Sequence, residues 1–104
     1  MDNLELISFQ IISNVGEAKS HLFEVLELSR EEKFEEAENK IKEAEESILK
    51  AHESHFSLIQ EEASGNKVSI SMLLMHAEDQ LMNVEMLKTF ANEMILTHKK
   101  YSNK

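Results

Sequence analysis

The sequence has 104 residues, a formal net charge of −9, no cysteine, no proline and two glycines. That length allows a single domain over residues 1–104, and the lack of cysteine excludes disulfides and thiol chemistry. The acidic balance argues against direct binding to nucleic acid or to an anionic membrane surface, and no apolar run approaches the ~20 residues of a membrane span.

The chain begins Met1-Asp2-Asn3-Leu4-Glu5, with no basic stretch ahead of an apolar one. It therefore carries no recognisable secretory signal, and a cytoplasmic protein without membrane insertion is expected. Glu, Lys, Leu, Ala and Ile dominate, a helical composition. A domain this small buries a modest share of its surface, so association of several copies is the expected further source of stability.

The first helix is expected roughly from Leu4 to Leu28. Leu4, Ile7, Ile11, Val15, Ala18, Leu22 and Val25 recur at helical spacing. Phe9, Ile12, Phe23 and Leu26 lie beyond that stripe and give the helix more apolar surface than a two-layer bundle needs. Gly16 interrupts it at a cost of about 1 kcal/mol relative to alanine; a close helix approach and a tolerated accident both account for it. Ser29 to Lys33 is a polar break without glycine or proline, read as a turn because the apolar stripe changes phase there.

The second helix carries the most regular pattern: Phe34, Ala37, Ile41, Ala44, Ile48, Ala51, His55 and Leu58 alternate three and four apart, as in a coiled-coil seam. Glu and Lys fill the other positions, with Glu36–Lys40 and Glu46–Lys50 four apart, the pattern of a solvated face. A second stripe of Leu49, His52, Phe56, Ile59 and Ala63 begins halfway along. His52 and His55 lack a convergent third ligand, so zinc binding is not expected, and His21 and His98 read as surface residues. Ser64-Gly65-Asn66-Lys67 is a stop, with Gly65 suited to the left-handed position after a helix end.

The third helix is expected from Ile70 to about Tyr101, with Ser69 as its N-cap. Ile70, Leu73, Ala77, Leu81, Val84, Ala91 and Ile95 form its core stripe, while Met72, Met75, Met82, Met86 and Phe90 form another. The basic tail around Lys99 and Lys100 suits a helix C-terminus. The expected fold is all-α: an antiparallel, up-down-up three-helix bundle.

At about 100° per residue, the core stripe of the third helix lies roughly 100° to one side of His76 and the methionine stripe roughly 75° to the other. Asp79 falls inside the methionine stripe, Gln80 falls beside His76, and Glu78 and Glu85 fall on the solvent side. One chain needs one buried stripe per helix, so copies of the same helix are the economical cover for the second. Asp79 then faces its symmetry mates. A ring of carboxylates in an apolar seam is costly unless protonated or neutralised, and Mg²⁺ or a similar divalent cation suits such oxygen ligands. A lone histidine on a helix and a methionine stripe are ordinarily structural; a lone aspartate in an apolar stripe is less so.

Met75-His76-Ala77-Glu78-Asp79-Gln80-Leu81-Met82 resembles the active-site segment of the lactose/cellobiose-type enzyme IIA of the bacterial phosphoenolpyruvate-dependent sugar phosphotransferase system. That segment usually reads His-Ala-Gln-Asp-His-Leu-Met. The likeness extends through Ile11-Ile12-Ser13-Asn14-Val15-Gly16-Glu17-Ala18, Glu43-Ala44-Glu45, Ala51-His52 to His55, and Leu58-Ile59-Gln60-Glu61-Glu62-Ala63-Ser64-Gly65. It covers nearly the whole chain, in order.

The resemblance implies a trimer of three-helix subunits and a phosphohistidine at His76. It implies that His76 Nε2 accepts the phosphoryl group from the carrier protein HPr. The group then passes to a cysteine of enzyme IIB, for uptake of a disaccharide of the lactose, cellobiose or chitobiose type. The family's metal-binding aspartate, on the trimer axis, falls on Asp79. Gln80 stands where a second histidine is usual, and its amide still donates hydrogen bonds. Glu78 stands where glutamine is usual. A non-catalytic trimeric helical adaptor is the rival expectation. A histidine-phosphotransfer module of two-component signalling is a third, weakened because Gln80 and Leu81 do not supply the lysine usual after its histidine.

Overall fold

The helical stripes converge on one core. The computed structural model describes residues 3–102, which form α1 (Asn3–Arg30), α2 (Phe34–Ala63) and α3 (Met72–Ser102) in an up-down-up order. Each helix is about 45 Å long at 1.5 Å per residue, and the molecule measures 58 × 23 × 19 Å. Ile11, Val15, Ala18, Leu22 and Val25 of α1 pack against Ala37, Ile41, Ala44, Ile48 and Ala51 of α2 and against Ala77, Leu81, Val84, Ala91 and Ile95 of α3. Ala18, Ala37, Ala44, Ala51, Ala77 and Ala91 are fully buried. Small side chains at these positions let the helix axes approach closely. Among the described residues no helix is long and apolar enough to cross a membrane.

Both helix ends that lead into turns close by the same device. At the end of α1 the Lys33 amide donates to Leu28 O at 2.9 Å and the Glu32 amide to Ser29 O at 3.1 Å. At the end of α2 the Asn66 amide donates to Glu61 O and the Gly65 amide to Glu62 O, each at 3.1 Å. These are Schellman pairs, which require a left-handed residue just past the helix. Gly65 supplies it at φ 92°, as its sequence position predicts; the first turn places Glu32 there at φ 61°. The expected break at Ser29 starts later, because Ser29 and Arg30 continue α1 and Ser29 is fully buried.

The start of α3 differs from the sequence expectation. Ser71, not Ser69, is the N-cap: its Oγ accepts the Leu74 amide at 3.0 Å. Ile70 therefore precedes the helix and is 80% exposed, while Leu74 takes the buried place. A Cβ on Gly16 would meet no atom within 4 Å, so close approach within one chain does not explain that glycine.

The charged face of α2 is stitched to its neighbours rather than only solvated. Lys99 of α3 pairs with Glu38 and lies 6.0 Å over the Phe34 ring. Lys40 meets Glu24 of α1 at 3.3 Å and Glu43 at 3.0 Å, in place of the expected partner Glu36. The Glu43 and Glu24 hydrogen bonds hold the Lys40 ammonium above its ordinary pKa, and the Lys40 hydrogen bond holds the Glu43 carboxyl below its own.

Candidate functional site on the third helix

His76 lies in the second turn of α3, one residue before the fully buried Ala77. That register puts its Cα at the core edge and its side chain in the open, and the residue is exposed. Among the described residues its ring makes no hydrogen bond or ion pair, so both ring nitrogens are open to a partner. The lone pair of a neutral imidazole is a nucleophile.

Gln80 follows one turn later and is half-buried in the groove toward α1. Its Oε1 accepts a hydrogen bond from the Lys19 ammonium of α1 at 2.5 Å. The wheel places Gln80 beside His76, but nothing in the sequence points to Lys19, which lies 61 residues away. Asp79 turns to the other side, exposed, and accepts from the Asn83 amide at 3.3 Å. It borders an apolar cavity of about 370 Å³ with Leu58, Ile59, Ile70, Leu74, Met75 and Met82. Met72, Met75, Met82, Met86 and Phe90 are all exposed in the single chain, so the expected second stripe exists as an uncovered face. Among the described residues no group of three or more histidine, aspartate or glutamate side chains converges on a metal position.

Glu78 and Glu85 do not simply face solvent. His55 Nε2 donates to the Glu78 carboxylate at 2.6 Å, and His52 Nε2 donates to the Glu85 carboxylate at 2.7 Å. The wheel of α3 alone misses both, because it does not contain α2. The signal was present in the antiparallel order: residue number rises along α2 as it falls along α3, so 52 meets 85 and 55 meets 78. His21 is half-buried rather than on the open surface, with Nδ1 3.5 Å from Glu43, and His98 is likewise half-buried.

Residues 6–99 match the family model of the phosphotransferase (PTS) system lactose/cellobiose-specific IIA subunit. The chain is 42% identical over 91 residues to the PTS oligo-beta-mannoside-specific EIIA component of Bacillus subtilis, covering 88% of this chain and 83% of that protein. It is 34% identical over 101 residues to the lactose-specific EIIA component of Staphylococcus epidermidis, covering 97% of each. In three dimensions it superposes on the cellobiose-specific enzyme IIA of Bacillus anthracis with a TM-score of 0.96 and 42% identity, over 100% of this chain and 95% of that one.

Proposed function

The chain belongs to the lactose/cellobiose-specific IIA family of the sugar phosphotransferase system, and on that premise we propose that it is a phosphocarrier whose His76 is the phosphorylated residue. The observation that carries this reading is an exposed, unpartnered histidine at the place where the family pattern has its active histidine. A ring nitrogen of His76 attacks the phosphorus of phospho-HPr. The N–P bond of the donor histidine breaks, its electron pair stays on the donor ring, and a new N–P bond forms on His76. A cysteine thiolate of enzyme IIB then attacks the same phosphorus and His76 leaves as neutral imidazole. Both donor and acceptor are proteins, so the work of this chain is positioning and local electrostatics.

The working unit in this proposal is a homotrimer in which the methionine stripe of α3 is covered by copies of itself. An uncovered row of Met72, Met75, Met82, Met86 and Phe90 supports it. Asp79 fits a structural divalent cation such as Mg²⁺ by donor chemistry: it offers exposed carboxylate oxygens within that row, and one chain supplies too few ligands alone. The cation would hold subunits together and takes no part in the transfer. Selectivity among lactose-, cellobiose- and oligo-β-mannoside-type sugars is assigned to the membrane component.

Incubation with phosphoenolpyruvate, enzyme I and HPr tests the reading. Acid-labile, base-stable label on wild type, absent from His76→Ala of unchanged helicity, is the expected result. An unlabelled wild type points instead to the helical adaptor.

A further inference from the structure

Lys33, Lys40 and Lys99 each meet a carboxylate: Glu31, the pair Glu24 and Glu43, and Glu38. Lys19 differs. Its ammonium is held in a half-buried position on α1 by a neutral partner, the Gln80 amide of α3. An ammonium placed against an amide is partly desolvated without the compensation of an opposite charge. In a chain of net charge −9, carboxylate partners are plentiful, so an ion pair is not what this contact provides.

The contact fixes the amide. Lysine only donates, so the oxygen end of Gln80 must face it, and the two N–H donors of Gln80 are left on the other side. A cation on the amide oxygen also polarises the group and strengthens those donors. Gln80 lies four residues after His76, one turn along the same helix, where side chains are neighbours. A phosphoryl group on His76 carries roughly two negative charges, and Glu78 and Asp79 follow it closely in the chain. Oriented N–H donors are what such a group needs at that point.

Resting on the phosphocarrier reading of His76, we propose that Lys19 is a positioning residue for phosphoryl transfer, acting through Gln80 by turning and polarising its amide toward the phosphoryl oxygens. Lys19 exchanges no proton or electron; the transfer remains the breaking of one N–P bond and the making of another.

The test uses the full chain with phosphoenolpyruvate, enzyme I and HPr, and reads the initial rate of labelling and the ³¹P shift of the phosphohistidine. Lys19→Met is expected to label about tenfold more slowly and to shift the ³¹P signal, with helicity and melting unchanged; Lys19→Gln, which can donate to the amide oxygen but carries no charge, falls between Lys19→Met and wild type. Lys19→Arg restores most of the rate, because guanidinium also donates to the amide oxygen. The double variant Lys19→Met/Gln80→Leu is no slower than Gln80→Leu alone, since both remove one device. Wild-type rates and ³¹P shifts in Lys19→Met and Lys19→Gln overturn the proposal while leaving His76 in place, and additive losses in the double variant do the same. A wild type without label at His76 removes the phosphocarrier reading and Lys19's role with it.

Discussion

The imidazole of His55 on α2 and the carboxylate of Glu78 on α3 lie 2.6 Å apart and join the two helices two residues beyond His76. The His52–Glu85 pair repeats the link at 2.7 Å, about two turns further along α3. The site helix is therefore fastened to α2 by polar pairs as well as by packing.

A double-mutant cycle of His55→Ala and Glu78→Gln is expected to give a coupling of about 0.5–1 kcal/mol, the range of partly exposed pairs. Coupling should fall in high salt. Denaturant unfolding of the four proteins measures it; zero coupling at low salt means that the pair does not hold in solution. Glu78→Gln also restores the residue usual in the family segment, so its own stability cost should be the smaller of the two.

Glu32 is the sequence's least expected turn residue. Its φ of 61° is required by the Schellman pair that ends α1, and a left-handed conformation costs a side-chain-bearing residue roughly 1–2 kcal/mol. Glu32→Gly removes that strain at the price of a more flexible unfolded chain. The expected result is a net gain of about 0.5–1 kcal/mol, seen as a higher melting temperature. A loss of stability would mean that the Glu32 side chain contributes more than its backbone strain costs.

The three helices and most of the core were legible because their apolar spacing is a property of each helix alone. The seam from Phe34 to Leu58 is buried as its spacing predicts, apart from half-buried Phe34 and His55 themselves. The errors fall where a second element decides. Ile70 fits the α3 stripe, but capping by Ser71 starts the helix after it and gives its place to Leu74. Glu78 fits a solvent position until α2 brings His55 to it. His76, Asp79 and Gln80 could be singled out from one wheel, whereas Lys19 comes from another helix and no local pattern marks it.

Lys40 and Glu43 of α2, with Glu24 of α1, form a charged cluster whose contribution has a pH window. The Glu43 carboxyl is lowered from 4.5 by the Lys40 hydrogen bond. Its contribution is therefore complete above 4.5 and lost as pH falls through the depressed folded value. The Lys40 ammonium is raised from 10.5 by the hydrogen bonds it donates to Glu43 and then Glu24, so its contribution is complete below 10.5 and lost as pH rises through the higher folded value. The melting difference between wild type and Lys40→Met should be flat across neutral pH and shrink at both extremes. Because these groups are solvent-exposed, added salt should reduce it throughout. A difference that stays constant into acid and alkali would assign the stabilisation to the lysine's alkyl stem instead.

Asp79 gives the sharpest test of the assembly proposed above. Its carboxylate is exposed beside Met75 and Met82, on a face left open by the single chain. Brought together around an axis, such carboxylates repel one another, and a divalent cation offsets the repulsion. At a hundredfold excess over its dissociation constant a bound cation contributes about 2.7 kcal/mol. Chelation is therefore expected to lower the melting temperature of wild type or to dissociate the trimer. Asp79→Leu removes the charges and continues the apolar row, so it should form a trimer indifferent to chelator and at least as stable as metal-bound wild type. Asp79→Asn keeps a polar oxygen without the charge and should fall between them. Sedimentation and melting with and without chelator distinguish the cases. If wild type and Asp79→Leu respond alike, no cation is held by Asp79; if both sediment as monomers at micromolar concentration, the methionine face is covered by something other than copies of this chain.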